Sequence, residues 1–256
     1  QAQLAWKLRG LGNRGVADVT RLFSMSAADL IEEYFASPQM QGVMSVSSVI
    51  GTWAGPRTPG TAYVLAHHKV GDVGEGQLGS WGFPEGGMGA VTAAMRAAAE
   101  RFGATVRTSC GVERILTSNG RVSGVVLEDG EEIRADVVVV AIHPKLAFER
   151  LLDSSELPDE FVRTMKNWKT RSGTVKVNLA LDRLPEFMAK PGFDPEVHGG
   201  TIVLAQSLDD VDGAFQDALG GQPARKPFAD ICIPSVFDKT LAPEGHHIMS
   251  MFTEWV

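Results

Sequence analysis

Two dipeptides, Asn119-Gly120 and Asp129-Gly130, constrain this chain more than any other feature. They separate three short apolar runs, "VERILT", "RVSGVVLE" and "EEIRADVVVV". Asn-Gly and Asp-Gly favour the positive φ angles of tight hairpin turns, so neighbouring runs pair antiparallel. A parallel pair would need a long crossover, for which these spacings leave no room. With "ATVRTS" upstream, the expectation is a four-stranded β-meander. Its last run, Val137 to Ile142, is apolar at every position and reads as a buried strand. The following "HPKLAFERLL" reads as a short helix.

Amphipathic elements flank this meander. In "PEGGMGAVTAAMRAAAERFG", Met88, Val91, Met95, Ala98 and Phe102 share one helical face. Arg101 suits the negative end of that helix, and Gly103 can follow it as the C′ residue. Near the start, Ser26 can cap a helix with Asp29 as the acid of a capping box and Met25 and Leu30 as a staple. Leu30, Ile31, Tyr34 and Phe35 form its apolar face. The Gly and Pro residues of "GTWAGPRTPGTAYVLAHH" are expected to break any regular element. In the last third, Val175, Val177, Leu179 and Leu181 alternate with Lys176, Asn178 and Ala180, as in a half-buried strand. "TIVLAQS", "ADICIPSV" and "HHIMSMFTEWV" read as further strands of a second antiparallel sheet. "LDDVDGAFQDALGG" reads as a helix with Val211, Ala214, Phe215, Ala218 and Leu219 in register. The fold class is α+β.

Bulk properties remove several functions. The 256 residues carry a net charge of −7 and no long basic run, which argues against nucleic acid and anionic membranes as partners. No apolar run approaches the roughly 18 residues of a membrane span. Cys110 and Cys232 lack metal-ligand spacing and read as two reduced thiols. The chain opens "QAQLAWKLRG" without an initiator Met and closes on an apparent mid-sheet strand, as expected of an internal piece of a longer protein. The absence of targeting signals suggests a cytoplasmic location.

The glycine cluster before the helix invites a dinucleotide-binding reading. Gly87-x-Gly89 supplies two glycines, a helix follows, and Glu113 lies at a suitable distance for a ribose. Thr92 stands where Gly or Ala is wanted, and Pro84 stands where a strand should feed the turn. A stand-alone Rossmann unit over 80–115, binding NAD(P), is therefore the weaker alternative. A helix start whose N–H groups meet an anion or a cofactor edge is the stronger one.

Several stretches taken in order, among them "SMSAADLIEEYF", "PGTAYVLAHH", "GSWGFPEGGMGAV", "GRVSGVVLEDGEEIRAD" and "ICIPSVFDKTLAPEGHH", resemble the phytoene-desaturase-like FAD-dependent oxidoreductases. The likeness is greatest to their pyridine nucleotide-disulphide oxidoreductase domain-containing branch. It implies a helical part of a substrate domain over 1–82, a helix and β-meander associated with an incomplete FAD-binding domain over 83–150, and an antiparallel substrate-domain sheet with helices over 151–256. It implies FAD in the longer protein, an apolar substrate of isoprenoid or lipid kind, and little or no FAD bound by this stretch alone. It points to Gly86, Gly87, Val112, Ala141 and Pro144 as cofactor-facing residues, although Ile142-His143 departs from the small or amide residues usual at that turn. A flavin-derived scaffold without turnover, prone to self-association, is the non-catalytic alternative.

Such chemistry needs few ionisable groups, because the flavin carries the hydride. His67 and His68 are the candidates for proton handling, with a structural pair as the commoner outcome. His246-His247 reads as structural. Trp53, Trp81 and Phe83 could line an apolar tunnel or anchor the core. No metal site is expected, since a third ligand is lacking, and no G-x-S-x-G elbow is present.

Overall fold

The computed structural model describes residues 9–71, 76, 79 and 81–256. The opening octapeptide and part of "QLGSWGFPE" lie outside the described residues. Two compact units emerge, one from Gln1–Ala93 with Arg171–Val256 and the other from Ala94–Thr170.

The first unit combines helices with a four-stranded sheet. Its helices are α1 (Gly12–Ser24), α2 (Ala27–Tyr34), α3 (Pro38–Val46), α4 (Thr61–His67), the start of α5 (Gly87–Arg101) and α7 (Leu208–Leu219). Ser26 caps α2 as expected. Its Oγ accepts from the Asp29 N–H at 3.1 Å and donates to the Asp29 carboxylate at 2.7 Å. Helix α4 overturns the expectation that Gly and Pro would break every element there. Gly60, at φ +91°, turns the chain, and Thr61 then fixes the helix start. The Thr61 hydroxyl accepts from the Ala27 N–H at 2.9 Å, tying α4 to α2.

The core of this unit gathers Val46 and Val49 with Val211, Ala214, Phe215, Phe228 and Trp255. Gly42 on α3 leaves room for the 205–207 segment that leads into α7. A Cβ there would stand 2.8 Å from the Ala205 carbonyl oxygen. The sheet runs β4 (Thr174–Leu181), β7 (His247–Glu254), β6 (Ala229–Cys232), β5 (Ile202–Leu204), with every neighbouring pair antiparallel. This confirms the second sheet expected from alternation.

The second unit holds β1 (Val112–Ser118), β2 (Arg121–Leu127) and β3 (Glu132–Arg134) in sequence order, followed by α6 (Asp159–Lys166). Asn119 and Gly120 have φ of +52° and +71°, the pair of positive values that a tight two-residue hairpin wants. Gly124, at φ +145°, sits so close to β3 that a Cβ would meet the Ile133 oxygen at 2.1 Å. "HPKLAFERLL" is helical as expected, a short turn Pro144–Leu146 running into a π-helical turn Ala147–Leu151.

Two expectations fail here, and a third element forms as expected but stays uncovered. "ATVRTS" is not a strand, so the meander has three strands. Val137 to Ile142 is neither paired nor buried, with Val139 87% exposed. Helix α5 forms, yet none of its residues is buried and Phe102 is 92% exposed. An apolar face specifies that an element wants a partner, and among the described residues neither stretch has one.

Candidate functional site

The glycine turn before α5 is built by backbone geometry. Gly86 and Gly87 take φ of +78° and +75°, values that disfavour any side chain. The Gly86 N–H donates to Asp238 Oδ2 at 2.6 Å. Asp238 also accepts from the backbone N–H of Thr240 at 2.9 Å and from its hydroxyl at 2.6 Å. These bonds, Thr240 first and Gly86 next, hold the Asp238 carboxyl below the usual range. A carboxylate at this end of a helix also meets the positive end of its dipole. The donor that sequence reading offers to an external anion is thus already engaged by the protein. A Cβ on Gly87 would come within 3.3 Å of Leu241, so the 238–241 segment packs on the same turn. No local pattern links Asp238 to a residue 152 positions earlier.

No strand leads into this turn among the described residues, and β1 beyond α5 pairs antiparallel with β2. The parallel strand–helix–strand frame of a stand-alone Rossmann unit over 80–115 is therefore not formed by them.

The second unit brings two of the other candidates together. Val112 and Ala141 line one apolar groove of about 440 Å³, with Ile115, Val125, 138–140, Ile142, Leu146, Arg150 and Leu151. Pro144 lies just beyond it, opening the short helix that His143 caps by accepting the Lys145 N–H at Nδ1, 3.2 Å. Arg150 is the one charged residue lining this groove.

His67 and His68 close α4 and meet no carboxylate among the described contacts. His68 Nδ1 lies 2.8 Å from the Val64 carbonyl oxygen, and its ring stacks on Trp81. His67 lies edge-on to His68 and tilted toward Tyr63. Trp53 is a core anchor, edge-on to Phe215 and covered by the Arg171 guanidinium at 4.4 Å. His247 is bound to the Ser235 hydroxyl at 3.2 Å. Burial, then Lys239, pushes its pKa down. Both cysteines are free thiols. Among the described residues no three His, Cys, Asp or Glu side chains converge as a metal site would require.

The β4–β7 ribbon carries what residue-by-residue reading missed. Its register pairs Val177 with Met251 and Leu179 with Met249, so the middle of one face is apolar, with Thr253 opposite Val175 and His247 opposite Leu181 at its ends. Val175, Val177 and Leu179 remain 37–38% exposed on it. On the other face Lys176, Phe252 and Asp230 stand in one row, and Asn178, Ser250 and Cys232 in the next. Burial pushes the Asp230 carboxyl up, and burial followed by Asp230 pushes the Cys232 thiol up. The alternation in "GTVKVNLALD" signalled two faces; the register with β6 and β7 was needed to say what each contains.

A flavin dinucleotide asks for apolar walls beside its rings and donors or cations beside its phosphates. The groove at Val112 and Ala141 supplies an apolar wall and one cation. The turn at Gly86 supplies close backbone approach, but its N–H is committed to Asp238. Each of the two places, in its own unit, offers one feature that such a cofactor uses.

The chain is 38% identical over 232 residues to pyridine nucleotide-disulfide oxidoreductase domain-containing protein 2 of Rattus norvegicus, covering 88% of this chain and 40% of that protein. It is 28% identical over 218 residues to a zeta-carotene-forming phytoene desaturase of Myxococcus xanthus, covering 84% and 37%. It is 26% identical over 233 residues to prolycopene isomerase 2 of an Oncidium hybrid cultivar, covering 89% and 35%. The chain thus spans about 40% or less of the length of these relatives. An oxidoreductase from Methanosarcina mazei shares the fold, with a TM-score of 0.58 at 19% identity over 91% of this chain and 47% of that one. The model of the flavin-containing amine oxidoreductases matches residues 22–250, and the chain belongs to that family.

Proposed function

We propose that this chain is the substrate-domain-containing part of an FAD-dependent oxidoreductase of the desaturase type, acting on an apolar substrate. The observation that carries this reading is the open apolar face of β4 and β7, where Val175, Val177 and Leu179 are half-exposed beside Met249 and Met251. Such a face can hold a hydrocarbon and exclude water without offering any group that would react with it. The phytoene desaturase and prolycopene isomerases among the relatives carry substrates of that chemical kind in their names.

In this reading residues 1–82 and 151–256 belong to the substrate domain, and 83–150 to the region that meets the cofactor. Val112, Ala141 and Pro144 form a wall for the flavin nucleotide, and the turn at Gly86 and Gly87 allows close approach of backbone. Bound FAD supplies the redox chemistry; the residues of this chain orient the substrate and keep water away. His67 and His68 remain the candidates for moving a proton. The bond of His68 to the Val64 carbonyl oxygen and its stacking on Trp81 support a fixed placement of that ring.

The visible absorption spectrum tests the proposal, measured on the protein at its full natural length and on the 256-residue chain alone. A flavin band is expected in the long form and little or none in the short one. Absence of flavin from the long form, with NADH bound by the short one, would overturn it. In the long form, Val177→Lys should cut turnover of an apolar substrate at least about tenfold while leaving the flavin band in place.

A further inference from the structure

Glu254 is fully buried at the end of β7, yet its carboxyl is only half satisfied. Oε1 accepts from the Thr174 hydroxyl on β4 at 3.0 Å and from the Gly51 N–H, beyond α3, at 3.3 Å. Oε2 is buried and has no partner among the described residues. Gly51 takes φ +74° in the turn that presents this N–H.

Charged neighbours do not compensate. The stretch 38–53, which supplies Gly51, contains no Asp, Glu, Lys, Arg or His. Ahead of β4, Arg171 lies over the Trp53 ring, and on β4 Lys176 stands opposite Phe252. On β6 Asp230 also stands opposite Phe252, on α7 Asp212 lies beside Gly55, and at the far end of β7 is His247. None of these forms an ion pair with Glu254 among the described residues. A bare carboxylate held this way has lost its water and gained no counter-charge, which favours the neutral acid.

We propose that Glu254 is a proton-operated clasp: as the neutral acid it ties the turn at Gly51 to the β4–β7 edge, and on losing its proton it lets that turn go. Burial raises its pKa from the ordinary 4.5 to about 7, against the smaller opposing pull of Thr174 and Gly51. The folded form therefore keeps a proton that the unfolded chain has already released. The stability contributed is whole below 4.5, falls as pH rises from there to about 7, and is gone above it. The clasp is closed in mildly acidic solution and open in mildly alkaline solution.

The test is amide hydrogen exchange at Gly51 in the intact protein, from about pH 5.5 to 8.5, corrected for intrinsic exchange. Protection in the wild type should fall at least about tenfold between about pH 5.5 and 7 and level off above that. Glu254→Gln, which mimics the neutral acid, should keep its protection at every pH. Thr174→Val removes a donor that favours the charged form, so its transition should move to higher pH. Parallel loss of protection in wild type and Glu254→Gln would overturn the clasp. If Glu254→Gln does not fold, Thr174→Val decides, and a midpoint that stays put or moves down overturns it.

Discussion

Helices α5 and α7 carry similar sequence patterns and meet opposite fates. In α7, Leu208, Val211, Ala214 and Phe215 are all buried. In α5, Met88, Val91 and Met95 repeat at helical spacing, with Phe102 just beyond its end, and no residue of the helix is buried. Both starts are secured, α7 by the Ser207 hydroxyl accepting the Asp210 N–H at 3.2 Å and α5 by Asp238 on Gly86. The difference lies in what each apolar face meets. α7 packs on α3, whose Gly42 leaves room for the 205–207 segment just ahead of α7, and Phe215 contacts Trp53 and Trp255. The face of α5 meets nothing comparable among the described residues. Periodicity fixes which face of a helix is apolar; burial is a property of two surfaces together.

Substitutions on the two helices should separate sharply. Phe215→Ala removes a ring from the centre of the core and should cost roughly 3–5 kcal/mol, read as a lower denaturation midpoint at unchanged slope. A loss below about 1 kcal/mol would mean that α7 is packed no better than α5. Ser207→Ala deletes a cap and should cost about 1 kcal/mol, with Ser207→Asp restoring most of it. Met95→Ser on the open face of α5 should change stability by less than about 0.5 kcal/mol, since Met95 is 67% exposed. A larger loss would show that this face is covered in solution, for instance by self-association, which sedimentation at several concentrations would reveal.

Residues close in sequence settled a good deal by themselves. Asn119-Gly120 set a hairpin because both positions accept positive φ, and Ser26 with Asp29 set the start of α2. Alternation in "GTVKVNLALD" identified β4, and the motifs shared with phytoene-desaturase-like proteins led to the family. These features depend on neighbours a few positions apart, so the chain carries them wherever it goes. Among the candidate site residues, this locality made the left-handed turn at Gly86 and Gly87 legible.

Tertiary structure decided the rest. Helix α4 survives among Gly and Pro because the Thr61 hydroxyl receives the Ala27 N–H from a distant helix. The helix start at Gly86 is met by Asp238, the groove joins Val112 to Ala141, and Glu254 is enclosed by Gly51 and Thr174. Val137 to Ile142, apolar throughout, reads as a buried strand but stays open because no described strand pairs with it. Hydrophobic burial and carboxyl desolvation both depend on surfaces brought together from far apart in the chain, and a local pattern can state the need for such a partner without supplying it.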